Sequence, residues 1–314
     1  MRTILVALDG SPFAEAAIPV ALGLARTLDA QVEFVTVHEP PPGVHTISGA
    51  MVHDLSFDRE RSQLVRAALQ DALGEAVARA KRVPDAPPIS GVLLEGRPAD
   101  LLLDHAATIG AHAIVLTTHG RGGLSRAWLG SVTDTILLRA TIPVVSVRPT
   151  ETNGTNTTDT VLAARRINRL LVTLDGTRSS WSAIEPLHAL FGDRVEYVLF
   201  RAIAPLHPIL QAIASDSAYQ RDLEEQKTQA TSFLRAAVEQ LERRSLRASI
   251  CIRTEIVPAN AICACGEAND IDMIAVGTKI RTVVARMMLG SVADKVARTS
   301  DRPVLCYKLP LADD

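Results

Sequence analysis

Apolar residues in the first half of the chain fall into two rhythms: short runs of branched residues and longer stretches with helical spacing. Thr3 to Leu8, Val32 to Val37, Ile89 to Leu94, Ala113 to Thr117 and Val144 to Val147 are the short runs, suited to buried strands. Between them lie four predicted helices. The first is opened by Pro12 and carries Ala14, Ala17, Ile18, Ala21, Leu22, Ala25 and Leu28 on one face. The second runs through Leu64, Ala68, Leu69, Ala72, Leu73, Ala76 and Val77, after a long loop that starts at Pro40-Pro41-Pro42 and extends to about Ser56. Ala99 to Ile109 and Ser131 to Leu138 are the third and fourth. Strands that alternate with helices in this way predict a parallel sheet with right-handed crossovers.

The second half repeats the order. Strands are expected at Leu170 to Leu174, Val195 to Phe200, Ala248 to Glu255, Met273 to Val276 and Val304 to Tyr307. Helices are expected after Ser179, around Leu223 to Leu241, from Ala259 and from Ser291. The repetition extends to the letters: Leu129-Gly130-Ser131-Val132 returns as Leu289-Gly290-Ser291-Val292, 160 positions later, as do Pro98-Ala99 and Pro143-Val144. Ile4 to Gly10 is echoed by Leu170 to Gly176 at an offset of 166, so about six residues of insertion or deletion separate the early parts. A period of this size is a domain, not a solenoid unit. The reading is therefore a tandem duplication with a domain over residues 1–149, a Thr- and Asn-rich linker over 150–166 and a domain over 167–314, each with five strands and four helices.

Composition narrows the partners. With 33 basic and 35 acidic residues among 314, the chain has no basic surplus to track a nucleic-acid backbone, and no apolar run approaches the length of a membrane span. Because Met1-Arg2-Thr3 runs straight into a strand, a cytoplasmic location is expected. Cys251, Cys263, Cys265 and Cys306 make no Cys-x-x-Cys pair, and the eight histidines show no zinc spacing. Small apolar packing is the expected role of the cysteines, and no metal site is expected.

Candidate chemistry gathers where the fourth strand ends. Thr117-Thr118-His119-Gly120-Arg121-Gly122-Gly123 is followed six residues later by Gly130-Ser131 at a helix start. Glycines let a ligand approach the backbone, and a first helical turn offers free N–H groups and a positive dipole end, as a phosphate requires. Asp9, between Leu8 and Gly10 at the end of the first strand, stands where a carboxylate accepts a ribose hydroxyl. A glycine turn followed by Ser often serves only as a loop and helix cap. The convergence of all these groups at one edge of a parallel sheet favours nucleotide.

At these residues the chain resembles the universal stress protein family, whose nucleotide-binding members carry Gly-x-x-Gly, nine residues, then Gly followed by Ser or Thr. The resemblance runs over almost the whole length as two tandem domains. It implies Rossmann-like folds of the adenine nucleotide alpha hydrolase-like type, a cytoplasmic stress-response role and ATP as ligand, with Mg2+ as its companion ion. Carried over by position, Asp9 meets the ribose, Val37 offers backbone to adenine, and Gly120, Gly130, Ser131 and Val132 surround the phosphates, with Thr117, His119 and Arg121 alongside. Thr117 stands where the family has its first glycine. In the second half Asp175, Gly277, Gly290, Ser291 and Val292 remain, but Ile280 replaces the second glycine, so weak or absent binding is expected there.

Catalysis draws little support, since the loop offers positioning groups and His119 is its sole candidate base. Three functions are carried forward. The first is a non-catalytic ATP-binding stress or signalling module, the second a nucleotide-free structural or chaperone-like interaction protein, the third a slow ATPase. The resemblance also implies that the two domains pair about a pseudo-twofold with Val144 to Val147 and Val304 to Tyr307 near the contact, and it leaves homodimerisation and a protein partner open.

Overall fold

A computed structural model of the chain describes residues 1–40, 55–118, 130–149, 164–205, 216–278 and 289–309. Ten strands form one sheet. In chain order they are β1 (Arg2–Leu8), β2 (Ala30–His38), β3 (Ile89–Glu95), β4 (Ala113–Thr117), β5 (Val144–Val147), β6 (Arg169–Thr173), β7 (Glu196–Ile203), β8 (Ala248–Thr254), β9 (Met273–Thr278) and β10 (Val304–Lys308). Their spatial order is β3-β2-β1-β4-β5-β10-β9-β6-β7-β8. Within each half every pairing is parallel, whereas β5 and β10 meet antiparallel, with Leu305 opposite Val145. The last strands of the two halves thus join two doubly wound sheets, each reversing its strand order beside its first strand.

Helices α1 (Ala17–Leu28), α2 (Leu55–Lys81), α3 (Pro98–Thr108) and α4 (Ser131–Arg139) belong to the first half. The second half has α5 (Arg178–Trp181), α6 (Ile184–Phe191), α7 (Asp216–Glu242), α8 (Pro258–Ala268) and α9 (Ser291–Thr299). Two apolar layers flank the sheet, and each draws on both halves. One collects Ile4, Val6, Ile18, Leu22 and Phe34 with Leu170, Leu187, Phe191 and Tyr197; the other collects Leu5, Ile114 and Ile136 with Leu171, Ile274 and Val296.

Four local features differ from the sequence reading. The first helix starts at Ala17, after a 3-10 turn over Ala14–Ala16, so Pro19 and not Pro12 lies in its first turn. Its counterpart in the second half is split into α5 and α6. Pro186 has no N–H for the carbonyl four residues back and its ring crowds that carbonyl, which breaks the helix at Ser182 and Ala183. In α2 the apolar stripe faces the core from Leu69 onward, while Leu64 is 72% exposed. Cys251 of β8 and Cys265 of α8 form a disulfide across a separation of 14 residues, where packing alone was expected. Cys263 and Cys306 are free thiols.

The halves are also held by a buried seam along α1. Thr27 Oγ1 accepts from Ile167 N at 2.7 Å, and Arg2 Nη1 donates to Leu190 O at 2.6 Å. A side chain on Gly23 would place its Cβ against the Arg165 carbonyl oxygen, so only glycine lets the chain entering β6 lie this close to α1. Much of the linker, residues 150–163, lies outside the described residues, as does the loop over residues 41–54.

Candidate functional site

In the first half the candidate residues converge where β1 and β4 end, at the reversal of strand order. Leu8 is buried as the last residue of β1, Asp9 is half-buried, and Gly10 is exposed with a φ of 79°. The Asp9 carboxylate shapes the turn it sits in, since Oδ1 accepts from Ser11 N at 2.8 Å. Ser11 Oγ in turn accepts from Ala14 N at 3.2 Å, fixing the entry to the first helix. β2 extends past its neighbour: the last β1 pair is Leu8 with Thr36, so Val37 lies beyond it with no β1 residue opposite. A ligand at the end of β1 would meet main chain there.

β4 and α4 are locked together. Thr118 N donates to Val147 O at 2.9 Å, Gly130 N to Thr118 O at 2.9 Å, and Thr133 Oγ1 to Thr117 O at 2.8 Å. The first helical bond of α4 is Asp134 N to Gly130 O at 2.9 Å, which leaves the N–H groups of Ser131, Val132 and Thr133 without an acceptor in the helix. Ser131 is exposed at the first position of α4, beside the positive end of the helix dipole. Gly130 has φ −61° and ψ 147°, a conformation open to any residue, and a Cβ there would come no nearer than 3.7 Å to Thr118 O. Packing against the described residues does not require a glycine at this position. His119, Gly120 and Arg121 lie outside the described residues.

The second half is built differently at the same places. Asp175 Oδ1 accepts from Thr177 N at 2.9 Å, the same turn as at Asp9, and Gly176 has φ 84°. Gly277 in β9 is pressed by a neighbour: a Cβ there would lie 2.8 Å from Leu309 Cδ2, so packing already uses its missing side chain. Gly290 has φ 81° and ψ 134°, a backbone that favours glycine, unlike the extended Gly130. Ser291 is exposed at the first position of α9, and Val292 is half-buried. Ile280 lies outside the described residues.

Sequence reasoning missed a group beside Gly176. The Arg201 guanidinium, projecting from β7, stands 5.5 Å from the centroid of the Phe233 ring, and Phe233 meets Trp181 edge to face, 5.5 Å between centroids. A Cβ on Gly176 would fall 2.4 Å from Arg201 Cζ. An arginine at the open end of a core strand, where the first half has Thr36, was the available signal. No group of three or more His, Cys, Asp or Glu side chains among the described residues is arranged to hold a metal ion.

Two parallel α/β half-sheets, each with a strand reversal and a glycine-led helix start beside it, define a tandem protein of the doubly wound, Rossmann-like class. The chain belongs to the universal stress protein family, whose model matches residues 1–148 and again 166–308. A universal stress protein of Thermus aquaticus is 34% identical over 150 residues, covering 47% of this chain and 98% of that protein. Universal stress protein Rv2005c of Mycobacterium tuberculosis is 35% identical over 147 residues, covering 46% of this chain and 45% of that one, so the match spans less than half of the relative's length. A universal stress protein structure from Archaeoglobus fulgidus covers 99% of this chain and 97% of its own at TM-score 0.59 and 16% identity, a likeness of fold. No helix among the described residues is long and apolar enough to cross a membrane.

Proposed function

We propose that the chain is a non-catalytic, cytoplasmic stress-response module that holds ATP at the β1–β4 crevice of its first half. The observation that carries this reading is the helix start at Gly130: the N–H groups of Ser131, Val132 and Thr133 have no acceptor in the helix, and among the described residues a Cβ on Gly130 would make only ordinary contacts, 3.7 Å or more away. A glycine that packing against the described residues does not need is explained by a ligand that approaches the main chain. Asp9 would take the ribose hydroxyls, the Val37 main chain the adenine, and Gly130, Ser131 and Val132 the phosphates with their Mg2+. Binding without turnover suits a site whose residues are mainly positioning groups, with His119 as its sole candidate base.

Mass spectrometry of the small molecules released on denaturation tests this directly. ATP or ADP is expected from the native chain and not from Gly130→Glu, whose carboxylate would repel the phosphates, and the variant is expected to keep the native melting temperature within a few degrees. Native protein that releases no nucleotide and takes up no added Mg-ATP would leave the family's nucleotide-free role as an interaction protein. The packing of Gly277 against Leu309 favours that second role for the second half, where the glycine serves the core.

A further inference from the structure

We infer that Arg201 closes the adenosine end of the second half's crevice, so that the two halves differ in ligand occupancy because of this side chain; the inference rests on the nucleotide reading above. The register makes the comparison exact in position. Val6 pairs with Phe34 and its repeat Val172 pairs with Leu199, so Thr36 and Arg201, each two residues further on, are counterparts. Thr36 is short and buried, and Gly10 beside it is exposed, between the half-buried Asp9 and the buried Ser11. Arg201 instead reaches over Gly176, which is half-exposed between the exposed Asp175 and Thr177, with Cζ, Nη1 and Nη2 all within 2.7 Å of where a Cβ on Gly176 would be.

The guanidinium is held there and not merely passing. Phe233 of α7 supplies a ring face and Trp181 of α5 braces that ring, so three side chains from three elements form a stack across the turn. No hydrogen bond or ion pair joins Arg201 to the described residues, so the ring contact and the main chain of the turn determine its position. A purine and ribose entering beside Asp175 would have to displace a planar cation from an aromatic ring. Among the described residues, the counterpart of Arg201 in the first half is the short Thr36, which has no guanidinium to lay over Gly10.

Ile280 must be neutralised before this can be tested, since it departs from the family's phosphate loop independently. Equilibrium dialysis with Mg-ATP is run on the full chain carrying Ile280→Gly, on the same chain with Arg201→Thr added, and on that double variant with Asp175→Ala. Arg201→Ala is made in parallel, so that a folding defect in either substitution is seen by circular dichroism and does not decide the result. The double variant is expected to bind one more equivalent of ATP per chain than Ile280→Gly alone, and Asp175→Ala is expected to remove it. The inference is overturned if Ile280→Gly alone gains that equivalent, or if neither Arg201 replacement adds one. The count for the native chain against Gly130→Glu reports on the first half separately, so either idea can fail without the other.

Discussion

A buried thiol and two buried phenols give this molecule a weakness on the alkaline side. Burial in β10 pushes the Cys306 thiol up to about 12, and the same desolvation raises the phenols of Tyr307 and Tyr197. In the unfolded chain these groups ionise near their ordinary values, so above about pH 9 the unfolded state binds fewer protons than the folded one and stability falls as pH rises. Below that range all three are neutral in both states and contribute no slope. Thermal melts between about pH 8 and pH 11 are therefore expected to drop steeply above pH 9, and Cys306→Ala should remove the earliest part of the drop. Alkylation at neutral pH is expected to leave Cys306 unmodified until denaturant is added. Cys263, half-buried and also raised by desolvation, should react slowly in the folded state.

Between elements, the tightest contact is the one at α1. Gly23→Ala adds a methyl group that helix propensity favours by about 1 kcal/mol, yet its Cβ would collide with the backbone oxygen of Arg165, which cannot rotate away as a side chain would. The collision should win, lowering stability by about 1–3 kcal/mol in urea titration. A variant as stable as the native chain would mean that residues 164–168 are not held against α1. This contact was invisible in the sequence, where Gly23 sits inside a helical pattern and Arg165 in a polar linker. The strands were legible because branched runs bounded by turn residues leave little choice, and all ten appear within a few residues of their expected limits. The break between α5 and α6 was legible in principle from Pro186, but the continuing apolar spacing of Ile184, Leu187 and Leu190 masked it. The places of Asp9 after β1 and of Gly130 and Ser131 at the start of α4 were legible from their spacing. Arg201 was not, because its meaning lies in the register of β7 against β6 and in a ring from a helix thirty-two positions away.

The whole molecule is a single sheet with one apolar layer on each face, and each layer contains side chains from both halves. A tandem protein whose domains merely touched would melt in two steps. Here the loss of either half would expose the other's share of both layers, so one transition is expected, with calorimetric and van't Hoff enthalpies equal. Two resolved transitions would show that the β5–β10 ladder and the α1 seam do not couple the halves.

That antiparallel ladder also sets direction. Because every strand within a half runs the same way and the halves run oppositely, the carboxyl ends of β1 and β4 open on one rim of the sheet and those of β6 and β9 on the rim across from it. The chain is in this sense two-faced like a coin, and with Arg201 over one rim the faces carry different stamps. Whatever lies at the ends of β1 and β4 is therefore separated from whatever lies at the ends of β6 and β9 by the length of the strands.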